Sequence, residues 1–141
     1  MKPELLRYAV RFHGHLGPFL LVGLRMGLLA KKKLKPQRLH EFSAVVSTPL
    51  KPPRLCVIDG LQVSSGCTTG KGNIRVEKAQ QLKAEFRRGN RSITIRPRKK
   101  VASMLERVTP ETTQQELKGL ATRLNRLSDR ELLAVEYRRH L

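Results

Sequence analysis

Apolar residues recur along the chain with two different periods, and the changes of period mark out its elements. Leu5, Leu6, Ala9 and Val10 have helical spacing and predict a helix over Pro3–Arg11. Gly14 and Gly17 then interrupt the pattern before Pro18 opens a second apolar stretch. Proline suits the first turn of a helix, where its missing N–H would have no partner. This second helix runs to Lys31, Lys32 and Lys33, whose charge suits a helix C-terminus. His13-Gly14-His15-Leu16-Gly17 therefore reads as a corner between two helices. Phe42–Thr48 and Leu55–Ile58 are rich in Val and Ile, with Pro49, Pro52 and Pro53 between them, and predict two strands. A short helix follows, with Asp59 as N-cap and Gly66 as stop. Asn73–Val76 predicts a third strand, and Gln81–Phe86 with Ser92–Arg96 bracket Gly89-Asn90 as a hairpin. The remainder predicts helix, with start signals at Thr109-Pro110-Glu111 and at Ser128-Asp129-Arg130-Glu131, the second having capping-box spacing.

Helices, then strands, then helices is the order of an α+β domain with a mainly antiparallel sheet rather than of an alternating α/β sheet. No repeat or long linker divides the chain, so residues 1–141 are expected to form one domain. Apolar residues make up 39%, enough for one modest core. With aromatics at 4% and no Trp, that core must be built from Leu, Val, Ile and Ala, and stacking platforms for single-stranded nucleic acid are poorly supplied. Arg25 interrupts the apolar run of the second helix, so neither a signal peptide nor a membrane span is expected and the protein reads as cytoplasmic. Cys56 and Cys67 are the only cysteines, too few for a four-cysteine zinc site, and read as reduced thiols.

The net charge of +18 changes the picture of partners, because such a field attracts polyanions. Residues 71–107 carry 12 basic and 3 acidic side chains, against 6 and 5 in residues 108–141, so the central part is the electropositive one. Arg87, Arg88, Arg91, Arg96, Arg98, Lys99 and Lys100, all within residues 87–100, could contact nucleic-acid phosphates, tether an acidic protein partner, or simply form a solvated face.

Two segments carry candidate chemistry. His13 and His15 are two residues apart beside glycines that let the backbone turn, so both rings could reach one site; equally, they could be half-buried histidines bonded to the loop. Ser64-Ser65-Gly66-Cys67-Thr68-Thr69-Gly70-Lys71-Gly72-Asn73 combines a thiol, hydroxyls and a lysine in a glycine-rich turn. Lys71 would lower the pKa of Cys67 and enlarge its thiolate fraction, although a buried cysteine in a tight turn fits the same pattern. The glycine spacing is one residue short of a P-loop and Gly72 stands where Ser or Thr should bind Mg²⁺, which excludes a nucleotide triphosphatase. If the segments converge, His13, His15 and Cys67 form a three-ligand set for a divalent metal such as zinc, with one position left for water or substrate. The alternative is a Cys–His pair for nucleophilic chemistry. Cys56 and Asp59 could add a ligand or orient an imidazole. His40 and His140 read as surface residues.

These blocks resemble a known family. Phe12-His13-Gly14-His15-Leu16-Gly17-Pro18 with Gly23-Leu24-Arg25-Met26-Gly27, Cys56-Val57-Ile58-Asp59-Gly60-Leu61-Gln62, and Gly66-Cys67-Thr68-Thr69-Gly70-Lys71-Gly72-Asn73 are similar to the core domain of the FmdE family, which takes its name from formylmethanofuran dehydrogenase. The resemblance implies an α+β core with a mainly antiparallel sheet, a homodimer, and association with the dehydrogenase of methanogenesis or related one-carbon metabolism. It implies Cys67 and Lys71 as catalytic candidates, Thr68, Lys71 and Asn73 as substrate contacts, and a small anionic or one-carbon substrate. Gly17 stands where the family pattern has Cys, which removes a thiol that could bind metal or pair with Cys67. No cysteine follows Cys67, so the zinc finger that often follows the core is not expected.

Overall fold

The computed structural model describes residues 1–38 and 40–141. Its helices are α1 (Pro3–His13), α2 (Pro18–Leu34), α3 (Cys56–Ser65), α4 (Lys99–Glu106), α5 (Gln114–Asn125) and α6 (Asp129–Leu132). Its strands are β1 (Phe42–Thr48), β2 (Ile74–Lys78), β3 (Lys83–Arg88), β4 (Arg91–Pro97) and β5 (Leu133–Arg139). They form one sheet in the order β2-β1-β3-β4-β5, in which only β1–β2 is parallel. The fold is thus α+β with a mostly antiparallel sheet, as the order of elements predicted. Among the described residues no helix is long and apolar enough to cross a membrane.

The helix α2 is buried on every side, which its continuous apolar sequence requires. Leu21, Val22, Met26 and Leu29 meet Ala44 and Val46 of β1, Phe86 of β3, and Ile93 and Ile95 of β4 in the main core. Leu20 and Leu24 form a second cluster with Ala9, against which Leu5, Leu6 and Val10 of α1 pack. Toward α3 the contact surface is nearly bare backbone. A Cβ added at Gly23 would overlap the Val57 carbonyl, one at Gly60 the Leu20 carbonyl, and one at Gly27 the Ser64 hydroxyl.

Arg25, placed within this apolar helix, is only 8% exposed. Its Nη1 donates to the Asn125 carbonyl and side chain at 3.1 and 3.2 Å, and its Nη2 to the Leu127 carbonyl at 2.7 Å and Asp129 Oδ1 at 3.0 Å. One guanidinium therefore takes up carbonyls at the end of α5 and ties the start of α6 to α2, a fork geometry that lysine could not reproduce.

Three expectations need correction. Leu55–Ile58 is not a strand but the approach and first turn of α3, so Asp59 lies inside the helix rather than capping it. A short apolar run cannot choose between helix and strand by its period, and here packing through Gly60 onto α2 decides. The signal at Thr109-Pro110-Glu111 is a turn; α5 starts at Thr113, whose hydroxyl accepts from Glu116 N–H while the Glu116 carboxylate accepts from Thr113 N–H. The end of the chain is not all helix. After the Ser128–Glu131 capping box, α6 lasts one turn and Leu133–Arg139 joins the sheet beside β4.

Close backbone packing leaves no room for a methyl group at position 60. Gly60→Ala is expected to lower the unfolding free energy by about 3 kcal/mol, the upper part of the usual range for overpacking. Gly119→Ala, in α5 with open space around the added carbon, should raise it by about 1 kcal/mol through helix propensity alone. Urea unfolding of the two variants checks both directions.

Candidate functional site

The close contact of α2 with α3 fixes α3 against the C-terminal end of α1, and that junction holds the first histidine. Gly14 ends α1 at φ 114°, where a side chain would be strained, and its N–H donates to the Val10 carbonyl at 2.7 Å. Gly17 then precedes Pro18, which opens α2. His13 is the last residue of α1, and its Nδ1 lies 2.6 Å from Asp59 Oδ2. An ionised carboxylate only accepts hydrogen bonds, so Nδ1 donates, and in the neutral ring Nε2 keeps its lone pair. That Nε2 is buried without a hydrogen-bond partner. A buried polar atom left unpaired is costly, and one held so by an oriented ring is set up for a ligand.

The ring centroid of His15 is 4.9 Å from that of His13, so the corner does bring the two imidazoles together. Burial, and then the nearby His13, hold the His15 pKa below its ordinary 6.5. The ring is thereby favoured in its neutral, ligating form. A Cβ at Gly17 would stand 3.4 Å from His15 Nε2, so the side chain missing at position 17 is one that would have faced this imidazole.

Cys67 lies elsewhere. It is fully buried in the main core, beyond the C-terminal end of α3, and its N–H donates to Ser65 Oγ at 3.0 Å. Asp59 is in the first turn of the same helix, which at ~1.5 Å rise per residue puts the two ends on the order of 10 Å apart. Among the described residues no group of three or more His, Cys, Asp or Glu is gathered closely enough to hold a metal ion. Burial pushes the Cys67 thiol up, against smaller downward effects of the Ser65 hydrogen bond, Lys71 and Lys31. Lys71 does act on the thiol in the expected direction, but desolvation outweighs it. Cys56 is likewise pushed up, by burial and then by the Asp59 charge. Neither cysteine is in a disulfide.

The loop around Cys67 is largely occupied with its own structure. Asn73 Oδ1 accepts from Thr68 N–H at 2.8 Å and Asn73 Nδ2 donates to the Phe42 carbonyl at 3.1 Å, pinning the loop to β1. The Thr68 hydroxyl accepts from Lys71 N–H at 3.3 Å. Gln62 Oε1 accepts from the N–H and hydroxyl of Thr69.

The basic run does not form one face. Strand register turns Arg88 and Arg91 to the helix side of the sheet and Arg87 and Arg96 to the other. Arg88 pairs with Glu41 at 2.8 Å and donates to the Leu34 and Lys35 carbonyls, capping α2. Arg98 Nε donates to the Arg130 carbonyl at 3.0 Å. His40 is exposed, as expected, but His140 is not a plain surface residue: it is half-buried and its Nε2 lies 2.8 Å from Ser92 Oγ.

Residues 12–135, which contain both histidines, Asp59 and the Cys67 loop, match the sequence model of the family described as "FmdE, Molybdenum formylmethanofuran dehydrogenase operon". The chain belongs to the FmdE family. Its fold is similar to that of an FmdE-like protein of the tungsten formylmethanofuran dehydrogenase type from Syntrophus aciditrophicus, with a TM-score of 0.66 and 18% identity, over 98% of this chain and 72% of that one. It is also 36% identical over 73 residues to a probable S-adenosyl-L-methionine-binding protein of Archaeoglobus fulgidus. That match covers 50% of this FmdE-family chain and 20% of the relative, so it spans about a fifth of the relative's length.

The lowered pKa of His15 sets a sign for pH dependence. As pH falls below 6.5, the unfolded chain takes up the proton before the folded one does, so the contribution is complete above that pH and is lost as pH falls through the lower folded value. With chelator present, the urea midpoint is expected to fall with pH below 6.5 more steeply for wild type than for His15→Gln. Parallel profiles would remove His15 as the source.

Proposed function

We propose that this FmdE-family chain binds a divalent metal, zinc being the best fit, through His13 and His15, and serves formylmethanofuran dehydrogenase or related one-carbon chemistry. One observation carries the reading: His13 Nε2 is buried and unpartnered while Asp59 holds the opposite ring nitrogen at 2.6 Å. Metal-binding histidines characteristically give their other N–H to a carboxylate, which fixes the tautomer and strengthens the donor. His15, favoured neutral, supplies the second nitrogen beside it.

Two imidazoles are fewer than the four ligands of a structural zinc site, so the donor set suits an open site with positions for water, a substrate oxygen or a group from a partner protein. A bound zinc ion would supply Lewis-acid polarisation of such an oxygen. The residues of this chain contribute orientation. Asp59 prevents rotation of the His13 ring, and Gly17 leaves space beside His15 Nε2 where a side chain would otherwise stand. Cys67, at the far end of α3 and pushed toward the neutral thiol, is read as a core residue within its own chain. The link to the dehydrogenase rests on family membership.

Metal analysis by plasma mass spectrometry after zinc loading and chelator-free dialysis tests the assignment. Near-stoichiometric zinc is expected in wild type and in Cys67→Ala, with loss in His13→Ala and His15→Ala. Asp59→Asn should bind about 10- to 100-fold more weakly, the usual effect of removing such a carboxylate. A wild-type protein that retains no zinc would overturn the proposal.

A further inference from the structure

We propose a second ligand site in this protein, for a small organic anion with a flat apolar body, in the cavity between the start of α2 and α4. The cavity has a volume of about 780 Å³ and contains neither His13 nor His15. Its size lies within the range of about 300–1,000 Å³ typical of small-molecule sites. Phe19, Leu82 and Leu105 supply apolar lining. Around them stand four cations, Arg54, Lys83, Arg96 and Lys99, against a single carboxylate, Glu106.

Four like charges around one hollow repel one another, and a bound anion relieves that repulsion in a setting less screened than open water. Arg54 is the positioned member. Its guanidinium carbon lies 5.5 Å from the centroid of the Phe19 ring, and its one protein hydrogen bond, to the Val108 carbonyl, is long at 3.5 Å. A planar guanidinium held against an aromatic ring keeps further N–H donors for the paired oxygens of a carboxylate or phosphate. Arg96 is only loosely engaged, 3.6 Å from an exposed Glu136.

The first turn of α4 agrees with this assignment. The helices α5 and α6 begin with capping boxes and acidic first turns, whereas α4 begins Arg98-Lys99-Lys100 with no side-chain cap and no acidic residue. Cations at a helix N-terminus oppose its dipole, and a departure from local preference of this kind is expected where a ligand supplies the missing charge. The apolar lining selects against bare inorganic anions. The shared chemistry is therefore a carboxylated or phosphorylated molecule with a flat hydrophobic part.

The fluorescent probe 8-anilinonaphthalene-1-sulfonate has this chemistry and can be titrated into the full chain. Saturable binding of one probe per chain is expected, weakened about tenfold or more by Lys99→Glu, which removes a charge-assisted contact. Lys99 is exposed, and an acidic residue at the start of α4 favours the helix, so this variant should fold. Arg75→Glu, on the edge strand β2, makes the same change in net charge outside the cavity and should leave binding within about twofold of wild type. Displacement by adenosine 5′-monophosphate but not phthalate would identify a phosphate ligand, and the reverse a carboxylate. Absence of saturable binding, equal weakening by the two variants, or displacement by inorganic pyrophosphate as effective as by either organic anion would overturn the proposal. Probe binding should be unchanged in His13→Ala, which separates this site from the metal reading.

Discussion

At Gly23, Gly27 and Gly60 the backbones of α2 and α3 approach so closely that added side-chain carbons would overlap the facing chain. Neither helix can slide or rotate on the other without creating such an overlap. Ser64, whose hydroxyl contacts the Gly23 and Leu61 carbonyls at 3.4 Å, fills the remaining space. The position of α3 is therefore determined to within a fraction of a helical turn, and with it the position of Asp59. The helix α2 in turn is held by the sheet on one side and by the Arg25 bonds to the ends of α5 and α6.

A site built on that contact inherits its precision. The left-handed Gly14 turns the chain immediately after His13, so the ring stays against α3 while the backbone proceeds to His15 and Pro18. The carboxylate of Asp59 then selects one ring nitrogen and leaves the other unpaired and buried. The Cys67 loop, although contiguous with the same helix, is fixed at its opposite end by Asn73 and Gln62. Helix geometry thus separates two features that adjacency in sequence blocks suggests should meet.

Much of this was legible in the sequence where one local signal dominated. The helix pair with its corner at 13–17, the hairpin at Gly89-Asn90, the strand Phe42–Thr48 and the mostly antiparallel α+β architecture all follow from period and turn residues. So does the possibility that Asp59 orients an imidazole. Leu55–Ile58 was illegible as helix because four apolar residues fit either period, and its state depends on a glycine contact with a distant helix. Leu133–Val135 was hidden behind a strong capping box, which fixes where a helix starts but not how short it is. The distance between Cys67 and the histidines is a tertiary quantity that no spacing rule supplies.

The extreme charge is divided among separate tasks rather than concentrated on one face. Arg88 caps α2, Arg25 joins helices, and Arg54, Lys83, Arg96 and Lys99 surround a cavity. The central claim, however, concerns one ring: His13 held by Asp59 with its Nε2 lone pair free. Long-range ¹H–¹⁵N correlation NMR of the metal-free protein, at a pH where the imidazole is neutral, reads this directly. The account predicts the Nδ1–H tautomer for His13 in wild type and its loss in Asp59→Ala. A His13 protonated on Nε2, or a tautomer indifferent to Asp59, would contradict it.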